Sequence, residues 1–257
     1  DYFWHLASGR WIVEHHQLPR TDPLAVASSR EPWINGEWLF QIGLYALYGA
    51  FGHNGVAVAR ALAIAALFAF LYVRGSRQTS PFVAFCAVFF TWYGARPWLR
   101  ERPSMFGAMF LVLLLVLLQT PPSARRTILI AALTIFWINV HPSALLAPVV
   151  VAIWSVSDAV ERRELSAAPL GLTVLTAAAL LVNPFGIAGV LKPFRVAGIA
   201  QSPLFNNEEW ARTSLAEFPL FAVWLVVWVA ILVIMAFIPD PVPVQVAEVT
   251  AAPPSAN

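Results

Sequence analysis

The strongest constraint on this chain is a series of apolar runs at about 55–73, 81–95, 103–120, 127–140, 143–157, 167–183 and 219–238, each bounded by charge, proline or glycine. A helix needs about 20 largely apolar residues to cross a bilayer, and within hydrocarbon its backbone polar groups must bond to one another. The pattern predicts an all-α fold, a polytopic transmembrane bundle of about seven helices. Composition excludes a soluble alternative: 59% of the 257 residues are hydrophobic and only 12% are charged, against roughly 25% charged in soluble domains. The net charge of +2 is spread over loops and does not argue for nucleic acid. The single cysteine, Cys86, lies inside an apolar run and has no partner for an intrachain disulfide.

Three parts are expected: residues 1–54 as an extracytoplasmic amphipathic loop, 55–239 as the transmembrane bundle, and 240–257 as a disordered, proline-containing tail. Because the chain opens on Asp1 rather than Met, a further apolar span is expected upstream. Arg74 with Arg77, Arg125 with Arg126, and Arg162 with Arg163 fall on one side if the seven runs cross in turn, and short basic loops stay cytoplasmic. The first segment, the Arg96 to Arg102 turn, His141 and the 184–218 loop then share the extracytoplasmic side. Phe40 to Gly52 is too short to cross and is expected to lie parallel to the membrane.

The first segment concentrates chemistry: four of the five histidines and five of the fourteen acids lie there. Asp1 to His16 fits an amphipathic interfacial helix, with Phe3, Trp4, Leu6, Ala7, Trp11 and Val13 on its apolar side and Asp1, His5, Arg10 and Glu14 on its polar side. An LPRTDP turn carrying Asp22, a PWINGEWL stretch carrying Glu37 and a short apolar helix ending in Gly52 follow.

This order resembles the first extracytoplasmic loop of GT-C glycosyltransferases, the superfamily that includes protein mannosyltransferases and lipid A aminoarabinose transferases. The RPSMF segment is similar to an Arg-Pro-x-x-Phe turn in uncharacterised bacterial membrane proteins of this type. The resemblance covers about the first 120 residues. It implies a catalytic aspartate at the start of the loop, the position of Asp1, although Tyr2 stands where the family often has a second acid. It also extends to Arg60, near the outer end of the next span. The alternative for Arg60 is simple snorkelling to the interface.

Arg96, Arg100 and Arg102 crowd a turn on the face where positive charge is disfavoured. Arginine forms paired, charge-assisted bonds to phosphate, so a lipid phosphate is a natural ligand; a salt-bridged turn with Glu101 is the alternative. His141, in NVHPS, either contacts the donor phosphate or relays a proton, or merely turns a hairpin with Pro142. NPFG at 183–186 reads as a helix stop, and Lys192, Arg195, Glu208, Glu209, Trp210 and Arg212 furnish a loop able to hold an acceptor. No HExxH, Walker or GxSxG pattern occurs.

The expected function is transfer of a sugar from a polyprenyl-phosphate carrier to a glycan, lipid or protein acceptor, outside the cytoplasm, at a bacterial inner membrane. Asp1 would deprotonate or orient the acceptor hydroxyl, and Arg96, Arg100, Arg102, Arg60 and His141 would hold the leaving phosphate. Asp22 and Glu37 are candidates for acceptor binding or for a divalent cation, with no metal site assigned. A transporter or flippase of a lipid-linked or anionic solute, or a noncatalytic membrane scaffold, are the alternatives.

Overall fold

The computed structural model describes residues 2–25, 32–96, 99–164, 166–200 and 219–237. Asp1, the 201–218 stretch with Glu208, Glu209, Trp210 and Arg212, and the 240–257 tail lie outside the described residues. The described chain is helical. Its one β-type contact is an isolated bridge between Thr21 and Pro32. It divides into two units, 1–211 and 212–257.

In the first unit, α1 (Tyr2–His15) is followed by α2 (Trp38–Ser76), α3 (Pro81–Ala95), α4 (Pro103–Leu118), α5 (Ala124–Val140), a 3-10 turn (Pro142–Leu145), α6 (Leu146–Arg162), α7 (Ala167–Ala179) and α8 (Ile187–Ala200). Polar caps explain several starts. Ser80 Oγ accepts from Val83 N at 3.3 Å ahead of Pro81, and Ser123 Oγ accepts from Arg126 N at 3.1 Å. Fully buried Trp137, Leu114, Ile130 and Val151 centre a core shared by α4, α5, α6 and α7.

Two helical stretches, Trp38–Ser76 and Pro142–Arg162, have the length and apolar character of a membrane span. Among the other apolar helices Pro219–Phe237 has 19 residues, whereas α3 and α4 are short for a crossing. At 15 and 16 residues, α3 and α4 reach only about 22–24 Å at a rise of about 1.5 Å per residue, against a hydrocarbon core of about 30 Å. Within α2 the helix breaks at Gly52, whose φ of 64° and ψ of −168° are open to glycine and strained for other residues. The break separates Trp38–Phe51 from the long apolar helix after it, at the residue where the sequence ended its short segment. By contrast α8 is a helix inside the region expected as a loop, with Pro193 in its interior.

The faces of α1 differ from those expected. His5, Ser8, Gly9 and Ile12 are buried, whereas Phe3 is 72% exposed. The reason is close packing on α2: a Cβ on Gly9 would overlap the Gln41 carbonyl, so this seam takes small and polar side chains and sends the aromatics to its flanks. In the second unit, α9 (Pro219–Phe237) is an apolar helix in which Phe221 and Trp224 stack at 5.8 Å.

Candidate functional site

Glu37 precedes α2 in the capping position, yet its side chain makes no capping hydrogen bond. Its carboxylate stands between two histidines instead. Oε2 lies 3.9 Å from His5 Nδ1, and Oε1 lies 3.8 Å from His141 Nε2. The α1–α2 seam delivers His5, and the junction between α5 and the 3-10 turn delivers His141. Behind His5, the buried Asn35 donates to Gln41 Oε1 at 2.6 Å, and the Gln41 amide reaches His5 Nδ1 at 3.4 Å. Behind His141, Ser143 lies 2.7 Å from Nδ1 and accepts from Trp137 Nε1 at 3.0 Å. Gly107 of α4 keeps this side closed, because a Cβ there would overlap the Ser143 hydroxyl.

The electrostatics follow from burial. Burial holds His5 at about 4, helped by nearby positive charge that includes Arg102 and Lys192; burial, and Lys192 after it, hold His141 at about 4. Both imidazoles are therefore neutral near pH 7. Burial raises Glu37 above the usual carboxyl range, and Lys192 opposes this; burial lowers Lys192, and Glu37 opposes that in turn. The result is a desolvated chamber with an unusual share of neutralisable groups, the condition under which proton transfer and anion binding are tunable.

Beside the chamber, α2 and α4 form a groove of about 540 Å³ lined by apolar side chains such as Leu44, Met105, Met109 and Leu113, together with Arg60 and Glu101. Phe40 joins the two spaces. Its ring meets His5 edge-on at 5.3 Å and tilts against Phe106, another groove residue, at 5.8 Å.

Among the residues singled out by sequence, the structure gathers Glu37 and His141 and places Arg102 where its charge acts on His5. Arg60 pairs with Glu101 at 2.5 Å on the groove wall. Arg96 lies over the Tyr93 ring at 4.3 Å, and Arg100 is exposed. Asp22 accepts from Leu24 N at 2.9 Å in a local Asx turn. Asn139 is structural, since it accepts from Trp38 Nε1 and donates to the carbonyls of Ile135 and Val182. Asn183 closes the NPFG turn with bonds to Leu180 O, Gly186 O and Phe185 N. Among the described residues no three His, Cys, Asp or Glu side chains form a metal-ligand set.

Sequence reasoning missed His5 as a site residue and placed Lys192 in an acceptor-holding loop rather than on a helix beside Glu37. His5, Ser8, Gly9 and Ile12 recur at i, i+3, i+4 and i+7, a stripe of one helix face that was readable as a polar, close-packed seam. Lys192 sits beside Pro193 among glycines, a context that hides a helix. Comparison of the chain with known protein families, curated proteins and solved structures finds no match.

Proposed function

We propose that this chain is a polytopic, GT-C-like membrane glycosyltransferase that moves a sugar from a polyprenyl-phosphate carrier to a glycan, lipid or protein acceptor on the outer side of a bacterial inner membrane. One observation carries the reading: a half-buried cluster of His5, Glu37, His141 and Lys192 shares the Phe40 wall with an apolar groove. A ligand suited to both spaces is an amphiphile with an anionic head. The bilayer setting is supported by large apolar side chains left open on several helices, including Phe82 at 75%, Ile153 at 65% and Val174 at 69% exposure. Soluble monomers rarely expose such surface contiguously.

In the reaction the acceptor oxygen bonds to the anomeric carbon while the bond from that carbon to the phosphate oxygen breaks. The phosphate leaves as an anion, so the site's task is to supply fixed positive charge rather than an acid. Arg102 and Lys192 do this, with Arg96 and Arg100 on the neighbouring turn, and neutral His141 adds a hydrogen-bond donor. Arg60, paired with Glu101, borders the lipid groove. Asp1 deprotonates or orients the acceptor hydroxyl, as the resemblance implies.

The test is the full-length protein in vesicles with a labelled polyprenyl-phosphate sugar and a mixture of envelope acceptors. Sugar transfer with release of polyprenyl phosphate is expected, and Lys192→Gln and Arg102→Gln should each raise the donor KM. An uncleaved donor, or an unchanged KM in both variants, contradicts the reading. Donor crossing the bilayer intact would identify a transporter.

A further inference from the structure

The hydrogen-bond order within the chamber is informative about Glu37. Trp137 Nε1 donates to Ser143 Oγ, which leaves the Ser143 hydroxyl proton to point at His141 Nδ1, 2.7 Å away. The Ser143 backbone N–H donates to the same nitrogen at 3.1 Å. His141 Nδ1 is therefore the unprotonated nitrogen, and the ring proton sits on Nε2, the atom facing Glu37 Oε1. On the other side, the bond from Asn35 to Gln41 Oε1 turns the Gln41 NH₂ toward His5 Nδ1, so this nitrogen is also an acceptor. It faces Glu37 Oε2.

Glu37 thus faces a donor at Oε1, whereas at Oε2 it faces a nitrogen that carries no proton and already accepts from Gln41. An oxygen that faces a donor is held in place, and the oxygen that faces none keeps its lone pairs for an incoming proton.

We infer that Glu37 is the proton acceptor of the transfer reaction, taking the proton of the acceptor hydroxyl onto Oε2 against His5, with Ser143 positioning His141 at Oε1. This inference rests on the transferase reading above. The proton moves from the hydroxyl to Glu37 as the hydroxyl oxygen bonds to the anomeric carbon. The electron pair of the broken carbon–oxygen bond leaves with polyprenyl phosphate, and Glu37 returns its proton to water between turnovers. Asp1 keeps the orienting role. At 3.8 and 3.9 Å these contacts are longer than hydrogen bonds, and catalytic contacts of this kind tighten in the substrate complex. The ionisable groups around Glu37 are His5 from α1, His141 from the end of α5 and Lys192 from α8, with Arg102 acting on His5. Burial favours the acid and Lys192 the carboxylate, and burial is the larger of the two.

Infrared titration of the reconstituted full-length protein, with Glu37→Gln as the difference reference, reads the carboxyl directly. Its band should titrate above the ordinary glutamate value of about 4.3, and the acidic limb of the kcat profile should coincide with it. Glu37→Gln should lower kcat by about 10²–10⁴-fold, the usual worth of a positioned base, abolish that limb and leave the donor KM unchanged. Ser143→Ala should lower kcat and scramble the His141 ring tautomer seen by ¹⁵N NMR, and Ser143→Thr should restore both. A Glu37 band at or below the ordinary value overturns the inference, as does a Glu37→Gln enzyme with normal kcat. If the wild-type protein transfers no sugar, the transferase reading fails by itself, and the infrared band still decides whether Glu37 holds the proton.

Discussion

The two ends of α5 carry polar groups in opposite states. At the end that leads into His141, Glu37 lies between two imidazoles without a direct hydrogen bond to either, and the charge of half-buried Lys192 acts on it. At the beginning, Arg126 is buried but engaged: Nη1 donates to Thr120 O at 2.7 Å, and the guanidinium lies over the Trp154 ring at 4.9 Å. Nearby Arg74 bonds Gln119, and Arg162 bonds Asp158. Side chains already bonded are committed to structure, whereas groups kept apart at slightly more than bonding distance are available to a ligand. The first end is read as chemical and the second as structural.

The sharpest way to break this contrast is a pair of substitutions. Glu37→Gln is expected to cost about 10²–10⁴ in kcat with little change in stability. Arg126→Met should lower stability by about 1–3 kcal/mol, the usual cost of losing buried polar partners, with kcat unchanged in the folded fraction. Chemical denaturation in detergent, run alongside the transfer assay, separates the two; equal activity losses would erase the distinction. Next in size is Gly9→Ala, which forces a Cβ into the Gln41 carbonyl. Overpacking of this kind costs about 1–3 kcal/mol. Because Gln41 orients His5, kcat should fall together with the melting temperature.

A pH scan sharpens the comparison further. His5 and His141 titrate near 4 in the folded chain, below the ordinary histidine value of 6.5. Between those values the unfolded chain binds protons that the folded chain refuses, so stability should fall as pH drops from about 6.5 to about 4 and then level off for these groups. Glu37, raised by burial, acts in the opposite sense: its contribution is present below the ordinary carboxyl value and is lost as pH rises through its folded value. A His5→Asn, His141→Asn double variant should flatten the histidine slope, as read by denaturant midpoints across pH. The smallest effect is expected at Arg60 and Glu101, both partly exposed. A double-mutant cycle there should return about 0.2–1 kcal/mol, the range of such pairs.

Much of the helical framework was legible because its punctuation is chemical. Ser80-Pro81 opens α3 and the expected 81–95 run matches Pro81–Ala95, while Gly52 breaks α2 where the short segment was expected to end. The position of each apolar run was more legible than its length, since apolarity alone does not tell a helix of about 15 residues from a full crossing. The site was legible in part. Glu37 and His141 stand out as polar residues at helix boundaries, but their meeting depends on contacts across about a hundred residues of sequence, of the kind made by Trp38 and Asn139. His5 was hidden because a helical wheel weighted by hydrophobicity turns the Gly9 seam outward, although close packing turns it in. The triple-arginine turn promised a cluster that the fold only partly delivers, with Arg96 on Tyr93 and Arg102 near His5.

The central claim is that chamber and groove together hold one amphiphile, and its most direct measurement is equilibrium binding of a short-chain polyprenyl phosphate and of the matching alcohol to the full-length protein in nanodiscs. The phosphate is predicted to bind more tightly than the alcohol. Lys192→Gln should narrow that difference, and Met109→Trp, which fills the groove, should weaken both ligands. Equal binding of phosphate and alcohol to the wild-type protein, or indifference of both to Met109→Trp, would contradict the account.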